Sequence, residues 1–262
     1  MNLSLFEKEI LMCHALGIDH TRLISHPELF DKKNTKYLSY KKRRLKHEPV
    51  AYITGFQPFM GLKIFVGRSV LIPRPETEEL VEKAIDIIKQ NTVHGKRYTV
   101  HDIGTGSGAI AIVLTKNLPN IKVIGIDSSP KAIKIAKKNA KYHKVSKRCK
   151  FVIGDLLDTI NIKADMIISN PPYIPTDQIK NLMPDVKDWE PHSALNGGRD
   201  GLKYIKEIIK TAPKYLKKEG VLLLEFGINQ SKEIKKAAGN YFSKVNILND
   251  LSEKERFLIG TS

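Results

Sequence analysis

The stretch His101-Asp102-Ile103-Gly104-Thr105-Gly106-Ser107-Gly108-Ala109-Ile110 connects a β-rich run to a helical pattern through three glycines at alternate positions. Glycines in such a loop allow a tight turn, a close approach of the backbone to a ligand and close packing of the helix on the strand. A strand, a glycine-rich turn and a helix in this order begin the units that bind nucleotide-like cofactors at the edge of a parallel sheet. We therefore predict an α/β fold in which this loop holds a cofactor.

Strand and helix patterns alternate from Tyr98 onward, which is typical of a parallel sheet with helices on both faces. Two further β-rich runs, Val245–Leu248 and Phe257–Ile259, lie close together, and we expect one of them to pair antiparallel at the edge. The predicted strands of the alternating part are Tyr98–Ile103, Ile121–Asp127, Lys150–Asp155, Ala164–Asn170 and Val221–Phe226, and the predicted helices between them are Ile110–Leu118, Lys131–Tyr142 and Leu202–Tyr215.

The glycine loop alone does not identify the cofactor. Asp127 closes the second predicted strand 19 residues after Gly108, where a carboxylate can accept hydrogen bonds from a ribose diol. A nicotinamide dinucleotide and S-adenosylmethionine both carry such a diol, so both remain alternatives at this point. The spacing Gly-x-Gly-x-Gly differs from the dinucleotide pattern Gly-x-Gly-x-x-Gly, and no residue suggests hydride transfer.

A second motif, Ser169-Asn170-Pro171-Pro172-Tyr173, follows the fourth predicted strand. Two prolines remove two backbone donors and fix two φ angles, so the strand ends there. The loop presents an amide side chain, backbone carbonyls and an aromatic ring, which together can bind a planar NH2 group. A Pro-Pro pair by itself would indicate only a rigid turn. At the same sheet edge as the glycine loop, it predicts an S-adenosylmethionine-dependent enzyme that methylates a planar nitrogen.

The chain is strongly basic, with 44 Lys and Arg residues against 28 Asp and Glu residues and a net charge of +16. This excess fits a polyanionic partner, such as nucleic acid or the ribosome, and fits a lysine-rich genome equally well. Two distant cysteines and eight scattered histidines predict neither a disulfide nor a metal site. No apolar run reaches membrane-spanning length, and we expect a cytoplasmic protein with no membrane contact.

Three segments are predicted along the chain. Residues 1–47 carry helical patterns and form a small substrate-binding domain, residues 48–75 are rich in aromatics and glycines and form a β-hairpin linker, and residues 76–262 form the catalytic domain. Further short helices are predicted over Leu23–Phe30 and Thr35–Leu45. Thr77 or Glu76 is expected to cap a helix that follows Pro75 and extends through Ile88.

With these motifs in view, the chain resembles the HemK/PrmC family, the protein-(glutamine-N5) methyltransferases that act on class I peptide chain release factors. The resemblance extends over nearly the whole chain. Asn-Pro-Pro-Tyr also occurs in adenine-N6 methyltransferases, so it is the stretch Leu71–Glu78 that indicates the substrate. The resemblance rests on Glu48–Gly55, Leu71–Glu78, the glycine loop, Asn170–Tyr173, Glu190-Pro191, Asn196–Leu202 and Leu222–Glu225.

The resemblance implies a Rossmann-like class I S-adenosylmethionine-dependent methyltransferase domain, with a seven-stranded, mostly parallel sheet, after a small N-terminal helical domain. It implies S-adenosylmethionine as cofactor and S-adenosylhomocysteine as product. We expect a monomer whose activity is compatible with direct nucleic-acid binding but does not require it. The residues expected at the cofactor are Gly104, Thr105, Gly106, Ser107, Gly108, Asp127, Asp155, Leu156 and Asn170. The residues expected at the glutamine of a Gly-Gly-Gln loop are Asn170, Pro171, Pro172 and Tyr173.

Two departures from the family pattern stand out. Leu156 follows the acid of the third strand, where the family often has Trp, so only apolar contact with the adenine is expected there. The helical domain looks short, because Met1 falls within what is usually a later helix.

Two other function classes fit parts of the sequence. An adenine-N6 methyltransferase would suit the basic charge, but no segment is large enough for a separate target-recognition domain. A non-catalytic ribosome-associated protein would have no need for both an intact glycine loop and an intact Asn170–Tyr173 motif. We therefore expect glutamine methylation, with Asn170 Oδ1 and the Pro171 carbonyl accepting the two amide hydrogens and Tyr173 packing on the amide plane.

Overall fold

The computed structural model describes residues 2–91, 97–159 and 161–262, so Met1 and its expected helix position lie outside the described residues. Polar side chains begin the first helices: Ser4, Asp19 and Asn34 each accept a hydrogen bond from the backbone N–H three residues later. The apolar sides of these helices meet in a cluster of their own, around Leu11 and Tyr37. The helices are α1 (Leu5–Leu16), α2 (His20–Ser25), α3 (Thr35–Arg44) and α4 (Val50–Thr54).

An antiparallel hairpin, β1 (Phe56–Phe59) and β2 (Leu62–Phe65), follows these helices. It occupies the middle of the segment 48–75, which also contains α4. The fully buried Asn139 binds the hairpin to the part of the chain that follows it. Its Oδ1 accepts a hydrogen bond from Phe65 N at 2.8 Å, and its Nδ2 donates to the carbonyls of Phe65 and Ser107, each at 2.9 Å. A buried amide with these partners fixes the position of the hairpin.

A seven-stranded sheet forms the centre of the fold, in the order β5-β4-β3-β6-β7-β9-β8. Strands β3 to β7 pair parallel, while β9 pairs antiparallel with both of its neighbours. The predicted seven-stranded, mostly parallel sheet is confirmed. The strands are β3 (Tyr98–Ile103), β4 (Ile121–Asp127), β5 (Cys149–Ile153), β6 (Ala164–Ser169), β7 (Leu216–Glu225), β8 (Lys244–Asn249) and β9 (Glu255–Thr261).

Helices cover both faces of the sheet because successive strand side chains point to opposite faces. Met166 and Ile168 pack in the cluster under α5, α6 and α7, whereas Ile167 packs in the cluster under α9 and α10. Among the described residues, no helix is both long and apolar enough to cross a membrane. The helices are α5 (Pro75–Asn91), α6 (Ala109–Asn117), α7 (Pro130–Tyr142), the short α8 (Pro184–Lys187), α9 (Lys203–Tyr215) and α10 (Ser231–Ala238).

The strand order reverses beside β3, since β4 and β5 lie on one side of it and β6 and β7 on the other. Ligands of open α/β sheets bind in the crevice outside the carboxyl ends of the strands at this switch point. The glycine loop leaves β3 there, and Asn170 follows β6 there. The topology thus places the two sequence motifs side by side.

Three local expectations were wrong. Leu23–Phe30 is not one helix: α2 ends at Ser25 and a 3-10 turn over Pro27–Leu29 follows, because a proline does not continue an α-helix.

Neither Thr77 nor Glu76 caps α5, because both lie inside the helix, and the Thr77 hydroxyl donates to Glu225 of β7 at 2.9 Å. Strand β7 begins at Leu216 rather than Val221, because Leu216 already pairs with Ala164 of β6, and a register shift precedes the next pair. Lys217 forms an ion pair with Asp165 of β6 at 2.6 Å in this irregular part.

We predict that Gly125→Ala destabilises the fold by about 1–3 kcal/mol, the usual cost of overpacking a core. A Cβ at Gly125 in β4 would lie 2.5 Å from Cδ1 of Phe151 and 2.7 Å from Oγ1 of Thr105. The measurement is the free energy of unfolding in urea. Gly67→Ala is the matched control, because a Cβ there meets no described atom within 4 Å. Equal stabilities for the two variants would contradict the packing described.

Candidate active site

A cavity of about 560 Å³ opens at the carboxyl edge of the sheet, where β3, β4, β5 and β6 end. Its lining combines the two sequence motifs with the ends of the neighbouring strands. The predicted site residues that line it are Gly104, Gly106, Asp127, Asp155, Leu156, Asn170 and Pro172.

Gly104 and Gly106 leave the space that a ligand would need. Both have a positive φ, 67° and 54°, which glycine adopts without steric cost. A Cβ at Gly104 would meet no described atom within 4 Å, and a Cβ at Gly106 would meet only a carbonyl at 3.9 Å. A side chain at either position would therefore project into open space next to the cavity that both glycines line.

Asp127 holds the glycine loop against the end of β4. Its Oδ2 accepts a hydrogen bond from Gly106 N at 2.9 Å, and its Oδ1 accepts one from Ser129 N at 2.9 Å. Burial raises the pKa of Asp127, and these two backbone donors oppose the rise. A carboxylate has about four acceptor positions, so two remain for further donors.

Asp155 and Leu156 form another wall of the cavity, after the end of β5. Asp155 is exposed, and its carboxylate can reach a polar ligand edge. Leu156 is half-buried and has a positive φ of 48°, which is uncommon for a residue with a side chain. Its side chain gives the cavity an apolar surface at this position.

The other three residues of the glycine loop lie behind the cavity rather than in its lining. Thr105 Oγ1 donates to the fully buried carboxyl of Asp102 at 2.5 Å, and burial raises the pKa of Asp102 to about 7. The Ser107 carbonyl accepts a hydrogen bond from Asn139. A Cβ at Gly108 would lie 2.9 Å from the Phe151 ring, so this glycine allows the close approach of α6 to the sheet.

A smaller cavity of about 250 Å³ lies on the other side of Asn170. Its lining is largely apolar and includes Pro171, Tyr173, Leu182 and Val186. Asn170 lines both cavities and therefore stands between them.

A buried chain of hydrogen bonds holds the Asn170 side chain. Asn170 Nδ2 donates to Thr77 Oγ1 at 2.8 Å, and Thr77 Oγ1 donates to Glu225 Oε2 at 2.9 Å. The Tyr173 hydroxyl donates to the second oxygen of Glu225 at 3.2 Å. Within the part of the chain that the structure describes, Asn170 Oδ1 accepts no hydrogen bond.

Two further loops, one before α9 and one after β7, pack against the Asn-Pro-Pro-Tyr loop. Gln230 Nε2 donates to the Tyr173 carbonyl at 2.9 Å, and its Oε1 accepts from Gly227 N at 2.8 Å. A Cβ at Gly201 would clash with the same Tyr173 carbonyl, and a Cβ at Gly197 would lie 2.7 Å from the Pro172 carbonyl. Only glycines allow this close packing against the loop.

Glu190 connects the Leu71–Glu78 stretch to the same region. It is 4% exposed, accepts a hydrogen bond from Ile72 N at 3.0 Å and forms an ion pair with Arg74. Burial raises the pKa of Glu190, and Arg74 opposes the rise. Arg74 itself lines the smaller cavity.

The sequence did not assign roles at the site to Thr77, Glu225 or Gln230. Glu225 carried a usable signal, because it ends the otherwise apolar strand segment Val221–Leu224. A lone acid in such a position is buried only when it has partners. Thr77 and Gln230 are polar residues in helical or loop segments, which gave no comparable signal.

Comparisons with known proteins identify the family of this chain. Residues 94–255 match a family model described as a methyltransferase domain, and residues 4–55 match one described as the PrmC N-terminal domain. The release factor glutamine methyltransferase of Thermodesulfovibrio yellowstonii is 39% identical over 256 residues, which cover 97% of this chain and 91% of that protein. The enzyme of the same name from Geobacter sulfurreducens is 42% identical over 234 residues, which cover 87% and 78% of the two chains.

Solved structures support the fold alone. A methyltransferase from Pyrococcus furiosus superposes with a TM-score of 0.58 at 17% identity, covering 85% of this chain and 98% of that one. A ribosomal protein L11 methylase from Lactobacillus delbrueckii subsp. bulgaricus gives 0.53 at 18% identity, covering 72% and 80%. The extent and identity of the sequence matches decide the family: this chain belongs to the release factor glutamine methyltransferases, which are S-adenosylmethionine-dependent enzymes.

Proposed function

We propose that this chain transfers a methyl group from S-adenosylmethionine to the side-chain amide nitrogen (N5) of the glutamine in the Gly-Gly-Gln motif of class I peptide chain release factors. The reaction would support translation termination. The observation that carries this proposal is the position of Asn170 between two cavities, with its Oδ1 unengaged among the described residues. The curated relatives are named for the same activity.

The larger cavity suits S-adenosylmethionine. Gly104 and Gly106 leave room for it, Asp127 has acceptor positions for its ribose hydroxyls, and Asp155 and Leu156 offer a polar and an apolar contact for its adenine. When bound, this cofactor supplies a methyl group on a positively charged sulfur. Thr105, Ser107 and Gly108 support the loop from behind.

The smaller cavity suits the glutamine side chain. An amide nitrogen is a poor nucleophile because its lone pair is delocalised into the carbonyl, so its orientation limits the reaction. Asn170 Oδ1 and the Pro171 carbonyl accept its two hydrogens and hold the nitrogen toward the larger cavity, while the Tyr173 ring packs beside the amide plane. The methylated nitrogen then loses one proton to water or a nearby acceptor.

The N-terminal segment 1–47 is a candidate contact surface for the release factor. Its helices have their own apolar cluster, and they leave large apolar side chains exposed, among them Leu5 at 69% and Phe6 at 63%. Such side chains favour contact with a protein partner. We further propose a cytoplasmic monomer, with segment 48–75 as the linker to the catalytic domain 76–262.

The test of this function is methyl transfer from labelled S-adenosylmethionine to three acceptors in parallel. These are a class I release factor, the same factor with the motif glutamine replaced by alanine, and duplex DNA. We expect label on the intact factor alone. Label on DNA would show that the enzyme is an adenine methyltransferase and would contradict the proposal.

Asn170→Ala is predicted to lower kcat by about a hundredfold or more, the usual effect of losing a group that acts in the transition state. The affinity for S-adenosylmethionine should change little. Steady-state kinetics and calorimetry measure the two quantities. Asn246→Ala, on the exposed edge strand β8, is the control. Near-normal turnover of Asn170→Ala would show that this side chain does not hold the amide.

Asp127→Ala is predicted to have the opposite effect: cofactor binding becomes weaker, and kcat at saturating cofactor changes less. Loss of hydrogen bonds to a charged group costs about 1.5–3 kcal/mol, so the Kd should rise roughly 10- to 100-fold. Isothermal titration with S-adenosylhomocysteine measures it. The exposed Asp86→Ala serves as control, and an unchanged Kd in Asp127→Ala would place the ribose elsewhere.

A further inference from the structure

The hydrogen-bond chain behind Asn170 joins three elements that are distant in sequence. Glu225 ends β7, Thr77 lies in the first turn of α5, and Asn170 follows β6. Glu225 is 1% exposed and Thr77 is 5% exposed, so water does not substitute for either partner. These hydrogen bonds end at Asn170, which borders both cavities together with Leu71 and Ala194.

Glu225, at the buried end of these hydrogen bonds, decides which group donates and which accepts in each of them. An ionised carboxylate only accepts hydrogen bonds, and each oxygen of Glu225 faces a hydroxyl, from Thr77 and from Tyr173. Thr77 therefore gives its proton to Glu225 and presents a lone pair to Asn170. Only the NH2 group of Asn170 can meet that lone pair, so Oδ1 must point the other way, into the site.

The charge state of Glu225 sets the conditions under which this direction holds. Burial raises the pKa of Glu225 to about 7, while the hydrogen bonds of Thr77 and Tyr173 and the charge of Arg256 lower it, and Glu76 raises it further. A protonated Glu225 could donate to Thr77 and free its hydroxyl to donate to Asn170 Oδ1. Assays at about pH 8, above this pKa, keep the carboxylate ionised.

We propose that Thr77 and Glu225 make the acceptor site select an amide over a carboxylate, by fixing the orientation of the Asn170 side chain. Glutamine brings two N–H donors to the site, whereas glutamate brings only acceptors. With Oδ1 inward, Asn170 and the proline carbonyl both accept, and a carboxylate would leave them unpaired. With the amide reversed, Nδ2 would offer a donor to a carboxylate. This inference rests on the proposed function and assigns its selectivity to two positioning residues.

The experiment compares Thr77→Val with Thr77→Ser at about pH 8. Valine keeps the shape of threonine and removes the hydroxyl, while serine keeps the hydroxyl. Two quantities are measured: kcat on the intact release factor, and the inhibition constant of the factor with the motif glutamine replaced by glutamate, relative to the KM of the intact factor. In Thr77→Val we expect kcat to fall roughly 5- to 10-fold. The ratio of that inhibition constant to the KM, which measures the preference for glutamine over glutamate, should fall about tenfold. Thr77→Ser should keep both within about twofold.

Thr115→Val is the matched control. Thr115 is also buried in a helix, lies away from the site, and donates a hydrogen bond of 2.7 Å to a backbone carbonyl. A stability effect alone would lower the active fraction without changing the preference for glutamine. If Thr77→Val does not fold, Thr77→Ala against Thr77→Ser isolates the same hydroxyl. An unchanged preference in Thr77→Val, or in Thr77→Ala, would overturn the inference. Absence of methylation by the wild-type chain and by Thr115→Val would instead refute the proposed function.

Discussion

Pro171 and Pro172 donate no backbone hydrogen bonds, so β6 cannot continue past Ser169 and the chain leaves the sheet between the two cavities. The strand end is held on both sides of this exit. Ser169 Oγ donates to the Ile103 carbonyl at 2.7 Å, beside the glycine loop, and Ile174 N donates to the Leu195 carbonyl at 3.0 Å. A loop that is fixed at both ends keeps Asn170 in one place relative to the larger cavity, as the proposed methyl transfer requires.

Two buried acids near this loop, Glu225 and Glu190, each have polar partners that compensate for their burial. Burying a carboxylate such as Glu225 is unfavourable unless it has partners, and here two hydroxyls and the nearby Arg256 supply them. The same arrangement recurs at Glu190, which is buried against Arg74 and the Ile72 amide. Glu225 connects Thr77 of α5 to the sheet, and Glu190 connects Ile72 and Arg74 to the loop after α8. The stretch Leu71–Glu78 is therefore in contact with Asn170 through Thr77 and with the smaller cavity through Arg74.

Much of this arrangement was readable from the sequence because it depends on local rules. Periodicity located β3 and β4 at their observed bounds, and glycine and proline chemistry located both loops at the sheet edge. The interactions that orient Asn170 were not readable, because Thr77 and Glu225 are 93 and 55 residues away in sequence. The helix-cap role expected for Thr77 follows from local preference, and a long-range partner overrides it. The family resemblance indicated which stretches matter but not which contacts they make.

The most direct measurement of the central claim, that Asn170 separates a cofactor cavity from an amide cavity, is a crystal structure with S-adenosylhomocysteine and a Gly-Gly-Gln peptide. The account predicts the cofactor product against Gly104 and Asp127, and the glutamine side chain between Pro171 and Tyr173. The glutamine nitrogen should lie within hydrogen-bonding distance of Asn170 Oδ1. A glutamine side chain bound outside the smaller cavity, or its carbonyl oxygen facing Asn170 Nδ2, would contradict the account.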